Sequence, residues 1–250
     1  MFQNFVGGKI DLVVTDPPYN MNYKGAGNAT KESRNRKIIN DHMSDGKFDK
    51  FLDGVYECMN EVMKEGASLY VFYKELGKGA FINALSRSKL NFKQELIWVK
   101  NQLVLGGSNY QSIYEPFLYG CKEKVGTWNG GRKQRNVIES IDLMNEEELR
   151  EYIRDLLDCE DTDIIRERKQ LKNDLHPTMK PIKLLAKLIV NSSIKNEKVL
   201  DIFGGSGSTL IACEQLDRIC YMMELDPHYC DVIINRWETL TGKKAELTNE

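Results

Sequence analysis

Lys198-Val199-Leu200-Asp201-Ile202-Phe203-Gly204-Gly205-Ser206-Gly207-Ser208-Thr209-Leu210 is the stretch that decides the fold of this 250-residue chain. Its apolar opening through Phe203 reads as a buried strand, its glycines as a tight turn, and Ser208 to Leu216 as a helix. Ile219 to Glu224 then reads as the next strand and Pro227 to Leu240 as the next helix. Strands that alternate with helices in this way build a mostly parallel sheet covered on both faces. Bare glycines at a strand-to-helix turn let a ligand approach the backbone, and the helix start offers unpaired N–H groups to an anion.

Glu224 lies 17 residues after Gly207, at the end of the following strand. A carboxylate there can accept both hydroxyls of a ribose, so turn and acid together point to an adenosine-containing cofactor. A solvated carboxylate at a strand end is the competing reading. No Lys stands before the Ser/Thr pair as a phosphate-cradling loop requires, and the third glycine of the dinucleotide pattern is replaced around Leu210. Phosphate-rich cofactors therefore lose ground to a ligand with one carboxylate and a ribose, such as S-adenosylmethionine.

Upstream, Ile10 to Thr15 is a short β-branched run that must stop at Asp16-Pro17-Pro18-Tyr19, because two successive prolines lack the N–H groups a ladder needs. A rigid turn is the plain reading of Asp-Pro-Pro, but turn chemistry has no need of the Tyr. Phe51, Leu52, Val55, Tyr56, Met59, Val62 and Met63 recur at helical spacing, with Gly66 expected as the stop. Ala67 to Tyr73 reads as a strand, Gly79 to Ser88 as a helix and Glu95 to Lys100 as a strand. Ile182, Leu185, Leu188 and Ile189 stripe a later helix, and Ala245 to Leu247 suggests a short edge strand.

The chain holds 35 Lys and Arg against 37 Asp and Glu, a net charge of -2 that by itself argues against a nucleic-acid partner. By segment the balance is different. Residues 22–40 hold Lys24, Lys31, Arg34, Arg36 and Lys37 against Glu32, and residues 120–136 hold Lys122, Lys124, Arg132, Lys133 and Arg135 against Glu123. Residues 142–163 carry ten acids against Arg150 and Arg154, a net -8 that masks the two basic segments. Asn145 and Glu148 there are spaced as a helix cap and its partner, so residues 137–175 read as a small acidic helical insertion within a single domain spanning residues 1–250. The six cysteines and three histidines show no zinc-ligand spacing, and the absence of an 18-residue apolar run and of a signal-like start gives the expectation of a soluble, cytoplasmic protein with no membrane and no metal.

With the glycine turn, Asp16-Pro17-Pro18-Tyr19 resembles the catalytic turn of the amino-methyltransferases that act on exocyclic amines of DNA bases. The catalytic turn precedes the cofactor turn, and His176-Pro177-Thr178-Met179-Lys180-Pro181 stands just before the latter. That order resembles the circularly permuted β class of DNA adenine and cytosine amino-methyltransferases, especially short phage-borne members. The similarity runs from about Ile10 to Leu247 and takes in Trp98-Val99-Lys100 and Gly106 to Tyr119. Ile202 stands where Pro is common, and Tyr114 where many relatives carry His.

The resemblance implies a Rossmann-like methyltransferase fold and transfer of a methyl group from S-adenosyl-L-methionine to the 6-amino group of an adenine flipped out of double-stranded DNA. Asp16, Pro17, Pro18 and Tyr19 would form the catalytic turn: Asp16 and the Pro17 carbonyl accept from the amine, and Tyr19 stacks on the base. Asp201, Phe203, Gly204, Gly205, Ser206, Gly207 and Glu224 would hold the cofactor, with help from Thr178 and Lys180, although a proline-started helix with an exposed Lys is the plain alternative for those two. Lys24, Arg34, Arg36, Lys37, Arg132, Lys133 and Arg135 are the candidate DNA contacts, all expected at the carboxyl edge of the sheet. A cytosine 4-amino acceptor and a catalytically silent DNA-binding subunit are the alternatives, and homodimers are common in the class.

Overall fold

The computed structural model describes residues 9–21, 41–104, 109–139 and 179–248. The expected acidic helix, Lys24, Arg34, Arg36, Lys37 and Thr178 lie outside the described residues.

Among the described residues seven strands form one sheet. β1 (Ile10–Thr15) stops where the prolines begin, as the missing donors require. α1 (Asp45–Val62) buries Phe48, Leu52, Tyr56 and Met59, a stripe at helical spacing. β2 (Met63–Phe72) follows α1 directly, so Gly66 sits inside a strand and is not the helix stop the sequence suggested. α2 (Lys78–Arg87) and β3 (Leu90–Val104) come next. β4 (Ser112–Lys122) and β5 (Val137–Glu139) precede α3 (Ile182–Ser192), β6 (Lys198–Asp201), α4 (Ser208–Gln215), β7 (Ile219–Met222) and α5 (Pro227–Thr241).

The strand order is β5-β3-β4-β2-β1-β6-β7. β1 pairs in parallel with β2 and with β6, β7 pairs in parallel with β6, and β5 with β3. β4 alone runs against its neighbours, matching Ser68 to Cys121 on β2 and Leu90 to Lys122 on β3. The sheet is thus mostly parallel, as expected. β4 itself was not foreseen, and residues 245–247 form no strand.

Alternation along β1 divides the core in two. Leu12 and Val14 face α3 and α4, packing with Leu185, Leu188, Ile189, Ala212 and Leu216. Val13 faces the opposite side, where Leu52, Tyr56 and Met59 of α1 and Phe81 and Leu85 of α2 close over the sheet. Each such side chain, fully buried, contributes about 1.5–3 kcal/mol. Among the described residues no helix is long and apolar enough to cross a membrane, no acidic or His/Cys cluster could hold a metal, and the five described cysteines are free thiols.

Candidate active site

β1 and β6 lie side by side, so the carboxyl ends of both open at one edge of the sheet, where open α/β sheets bind ligands. A side-chain bond ties the two turns together: Thr15 Oγ1 donates to Asp201 Oδ1 at 2.9 Å.

Asp201 also accepts from the Phe203 N–H at 3.1 Å and from Thr209 Oγ1 at 2.7 Å. Burial pushes its carboxyl up to about 7, against those three bonds. Asp201, expected to touch cofactor, uses its oxygens to hold the strand end, the turn and the first turn of α4 together. The turn itself requires glycine at two points. Gly207 caps α4 at φ 81°, and a Cβ on Gly204 would meet Met222 Cγ at 2.7 Å. Glu224 accepts from the N–H groups of Gly205 at 2.7 Å, Leu225 at 2.8 Å and Asp226 at 2.9 Å. Its carboxylate therefore sits against the glycine turn and is no free strand-end acid. Phe203 turns its ring onto Phe51 of α1, 5.9 Å between centroids.

A clamp that the motif reading missed lies beneath this turn. Arg236 of α5 donates to the Ser206 carbonyl, to Ser206 Oγ at 3.1 Å and to Ser208 Oγ at 3.4 Å. Only its spacing on a helix with no fully buried residue, a charge facing inward, could have marked it.

At the other turn, Asp16 and Tyr19 are partly buried and Pro17 is buried. The Tyr19 hydroxyl donates to Asp16 Oδ1, and Lys180 Nζ donates to Asp16 Oδ2. Burial, then the charges of Asp16 and Glu115, raises the Tyr19 phenol well above its ordinary value. Lys180 was expected beside the cofactor; its ammonium sits on the Asp16 carboxylate, 6% exposed and 4.9 Å above the Phe72 ring. Burial works against its charge, but Asp16 and Glu115 more than offset that and raise its proton affinity above that of an ordinary lysine. Glu115 of β4 lies 3.3 Å from Lys180 Nζ and 2.5 Å from Lys100 Nζ of β3. Lys100 and Glu115 had no assigned role in the sequence reading, though charged residues inside strand-like apolar runs were a usable signal.

A cavity of about 310 Å³ opens beside Tyr19, lined by Met21, Phe48, Leu76, Ala80 and Asp45 among others. Residues 20–21 and 41–43 are pinned together: Asn20 Nδ2 donates to the Met43 carbonyl at 3.0 Å, Met43 N–H returns a bond to Asn20 Oδ1, and Met21 N–H reaches Asp41 at 3.1 Å. The described residues on either side of the basic segment 22–40 are thereby held together next to the Asp16–Tyr19 turn.

The second basic segment is not where it was expected. Because β4 is reversed, its carboxyl end lies at the opposite edge, where Lys122 reaches the Met63 carbonyl and Gly126 the Gly66 carbonyl. Asn129 then binds carbonyls at the end of α3. Arg132, Lys133 and Arg135 lie exposed on the stretch that climbs from there along β3 to β5, away from any loop leaving the catalytic edge.

Adjacent parallel strands that end in a glycine turn with its acid and in an Asp-Pro-Pro-Tyr turn define a Rossmann-like methyltransferase fold in permuted order. The chain belongs to the DNA methylase family: the family model N6_N4_Mtase matches residues 10–236. It is 28% identical to the type II methyltransferase M.HinfI of Haemophilus influenzae over 243 residues, covering 91% of this chain and 62% of that one. It is 27% identical to the DNA adenine methyltransferase YhdJ of Escherichia coli, covering 95% and 79%. The fold is shared with the M1.HpyAVI–SAM complex (TM-score 0.62, 21% identity, 92% and 89% covered) and with the cytosine-N4-specific PvuII DNA methyltransferase (0.67, 15%, 95% and 82%).

Proposed function

We propose that this chain is a DNA methyltransferase that moves a methyl group from S-adenosyl-L-methionine to the 6-amino group of an adenine in double-stranded DNA. The observation that carries the reading is the placement of Asp16 at the end of β1, one strand from the glycine turn, within a buried network that fixes its carboxylate. The turn fits the cofactor: Glu224, aimed at backbone N–H groups there, has the acceptor chemistry a ribose needs. Bound at this turn, S-adenosyl-L-methionine supplies an electrophilic methyl group.

The chain's own residues do the rest. The Asp16 carboxylate and Pro17 carbonyl accept the amine hydrogens, which localises the nitrogen lone pair, and Asp16 is placed to take the proton the nitrogen sheds. Tyr19 offers its ring to an extruded base, and the cavity beside it falls at the lower end of the range for small-molecule sites. The basic segment 22–40, with Lys24, Arg34, Arg36 and Lys37, meets phosphates; Arg132, Lys133 and Arg135 lie away from the loops at the carboxyl ends of β1 and β6. The remaining expectations, a cytoplasmic single methyltransferase domain that pairs as a homodimer, belong to the same proposal; the insertion expected over residues 137–175 does not include Val137–Glu139, which form strand β5 of the sheet.

Adenine is favoured by the leading Asp16 and by the named adenine specificity of YhdJ. A silent binding subunit has no need of the Lys180–Asp16–Tyr19 arrangement. The test is incubation with DNA and methyl-labelled cofactor, followed by digestion to nucleosides and mass spectrometry. Labelled methyladenosine is expected; methylcytidine selects the cytosine acceptor, and no label overturns the enzyme.

A further inference from the structure

We propose that Glu115 is a positioning residue for the catalytic acid: its carboxylate bridges the Lys100 and Lys180 ammonium groups and so holds Lys180 on Asp16. This rests on the methyltransferase reading. Four charges alternate along one line from three strands and the start of α3: Lys100, Glu115, Lys180 and Asp16. Their side chains are 5%, 13%, 6% and 24% exposed, so Asp16, where a base amine must arrive, is the most exposed of the four.

Buried ion pairs are weak devices for stability, since apolar residues of like volume usually serve as well. What such a line does supply is a preorganised field. As the amine nitrogen is methylated it takes on positive charge before shedding its proton. A lone Lys180 ammonium beside Asp16 opposes that charge; the Glu115 carboxylate 3.3 Å behind it cancels much of the opposition while leaving the hydrogen bond to Asp16 in place. Lys100, at 2.5 Å, in turn holds the Glu115 carboxylate from the other side and keeps it directed at Lys180. The groups facing Lys180 are Asp16 and Tyr19 from the catalytic turn, Glu115 from β4 and the Phe72 ring from β2, with Asp41 acting on Tyr19 and Lys100 beyond Glu115.

The test uses the full chain with Glu115→Gln, Glu115→Asp, Lys100→Met and the double variant Glu115→Gln/Lys100→Met. Lysine side-chain NMR gives the Lys180 titration midpoint without reference to activity, and methyl transfer gives kcat and KM. In Glu115→Gln the Lys180 midpoint falls by about one pH unit or more and the alkaline limb of the kcat profile moves down with it. Its kcat falls about 100-fold while KM for the cofactor stays within about threefold. Glu115→Asp recovers much of the loss, and the double variant, which restores charge balance, is faster than Glu115→Gln alone. An unmoved Lys180 midpoint overturns the proposal, and so does a double variant whose losses simply add. A wild-type chain that methylates no nucleic acid refutes the methyltransferase reading instead, and the Lys180 midpoint still decides whether Glu115 holds it.

Discussion

Lys180 pairs its ammonium with the carboxylate of Asp16 across 164 residues of sequence, at the point where the entry to α3 meets the end of β1. Oδ2 of Asp16 takes Lys180 and Oδ1 takes the Tyr19 hydroxyl, so the rotation of the carboxylate is fixed from both sides. The lysine is thus held on the Asp16 carboxylate, whereas the sequence expectation set it beside the cofactor.

Lys180→Met separates those two roles. Loss of one preorganised donor lowers methyl-transfer kcat by about 100-fold, whereas S-adenosyl-L-methionine affinity, read by calorimetry, stays within about threefold. A collapse of cofactor affinity with kcat preserved at saturation returns Lys180 to the cofactor.

Arg236 makes the opposite prediction. Its guanidinium grips the Ser206 carbonyl and two hydroxyls of the turn, and a charge-assisted bond of this kind is worth about 1.5–3 kcal/mol. Arg236→Met weakens cofactor binding by about tenfold and leaves kcat at saturation near wild type. Unchanged affinity shows that the turn holds its shape without the clamp.

Asp201 links the site to pH. Its folded-state carboxyl, raised to about 7 by burial, protonates more readily than in the unfolded chain, where a carboxyl titrates near 3.9. Between those values the folded state binds the extra proton, so stability falls as pH rises through the window, by up to about 1.4 kcal/mol per unit. Asp201→Asn removes the dependence. The melting temperature of the variant relative to wild type should rise from pH 5 to pH 8, and a constant difference would show that the carboxyl is ionised throughout.

The strand–turn–helix grammar was legible because each signal is local: β-branched runs, two prolines after Asp16, glycines between Phe203 and Ser208. β4 was not, because Ser112 to Lys122 contains Pro116 and Gly120 and has no alternation, and only its place between β2 and β3 makes it a strand. Missing it turned the sheet edge of residues 120–136 upside down and with it the placement of Arg132, Lys133 and Arg135. The site divided in the same way. Asp16, Tyr19, the glycine turn and Glu224 were readable as motifs, but the line from Lys100 through Glu115 and Lys180 to Asp16 joins residues whose proximity exists only after β1, β3, β4 and α3 have packed.

That reversed strand yields the last prediction, on where DNA lies. Asn20 and Met43 hold the described residues on either side of segment 22–40 together beside the Asp16–Tyr19 turn, and Arg132, Lys133 and Arg135 lie exposed on the stretch that leads into β5 beside β3. Each phosphate neutralised contributes about 0.9 to the slope of log affinity against log salt. Arg34→Ala/Arg36→Ala/Lys37→Ala should weaken binding to duplex DNA and flatten that slope by about 2 to 3. Arg132→Ala/Lys133→Ala/Arg135→Ala removes the same charge and should leave the slope within about 0.5, because net charge alone does not set contacts at an edge. Equal flattening by both triples would mean that the duplex also wraps the β3 flank, and flattening by the second triple alone would move it there, because the slope counts phosphates and is indifferent to which edge holds the catalytic acid.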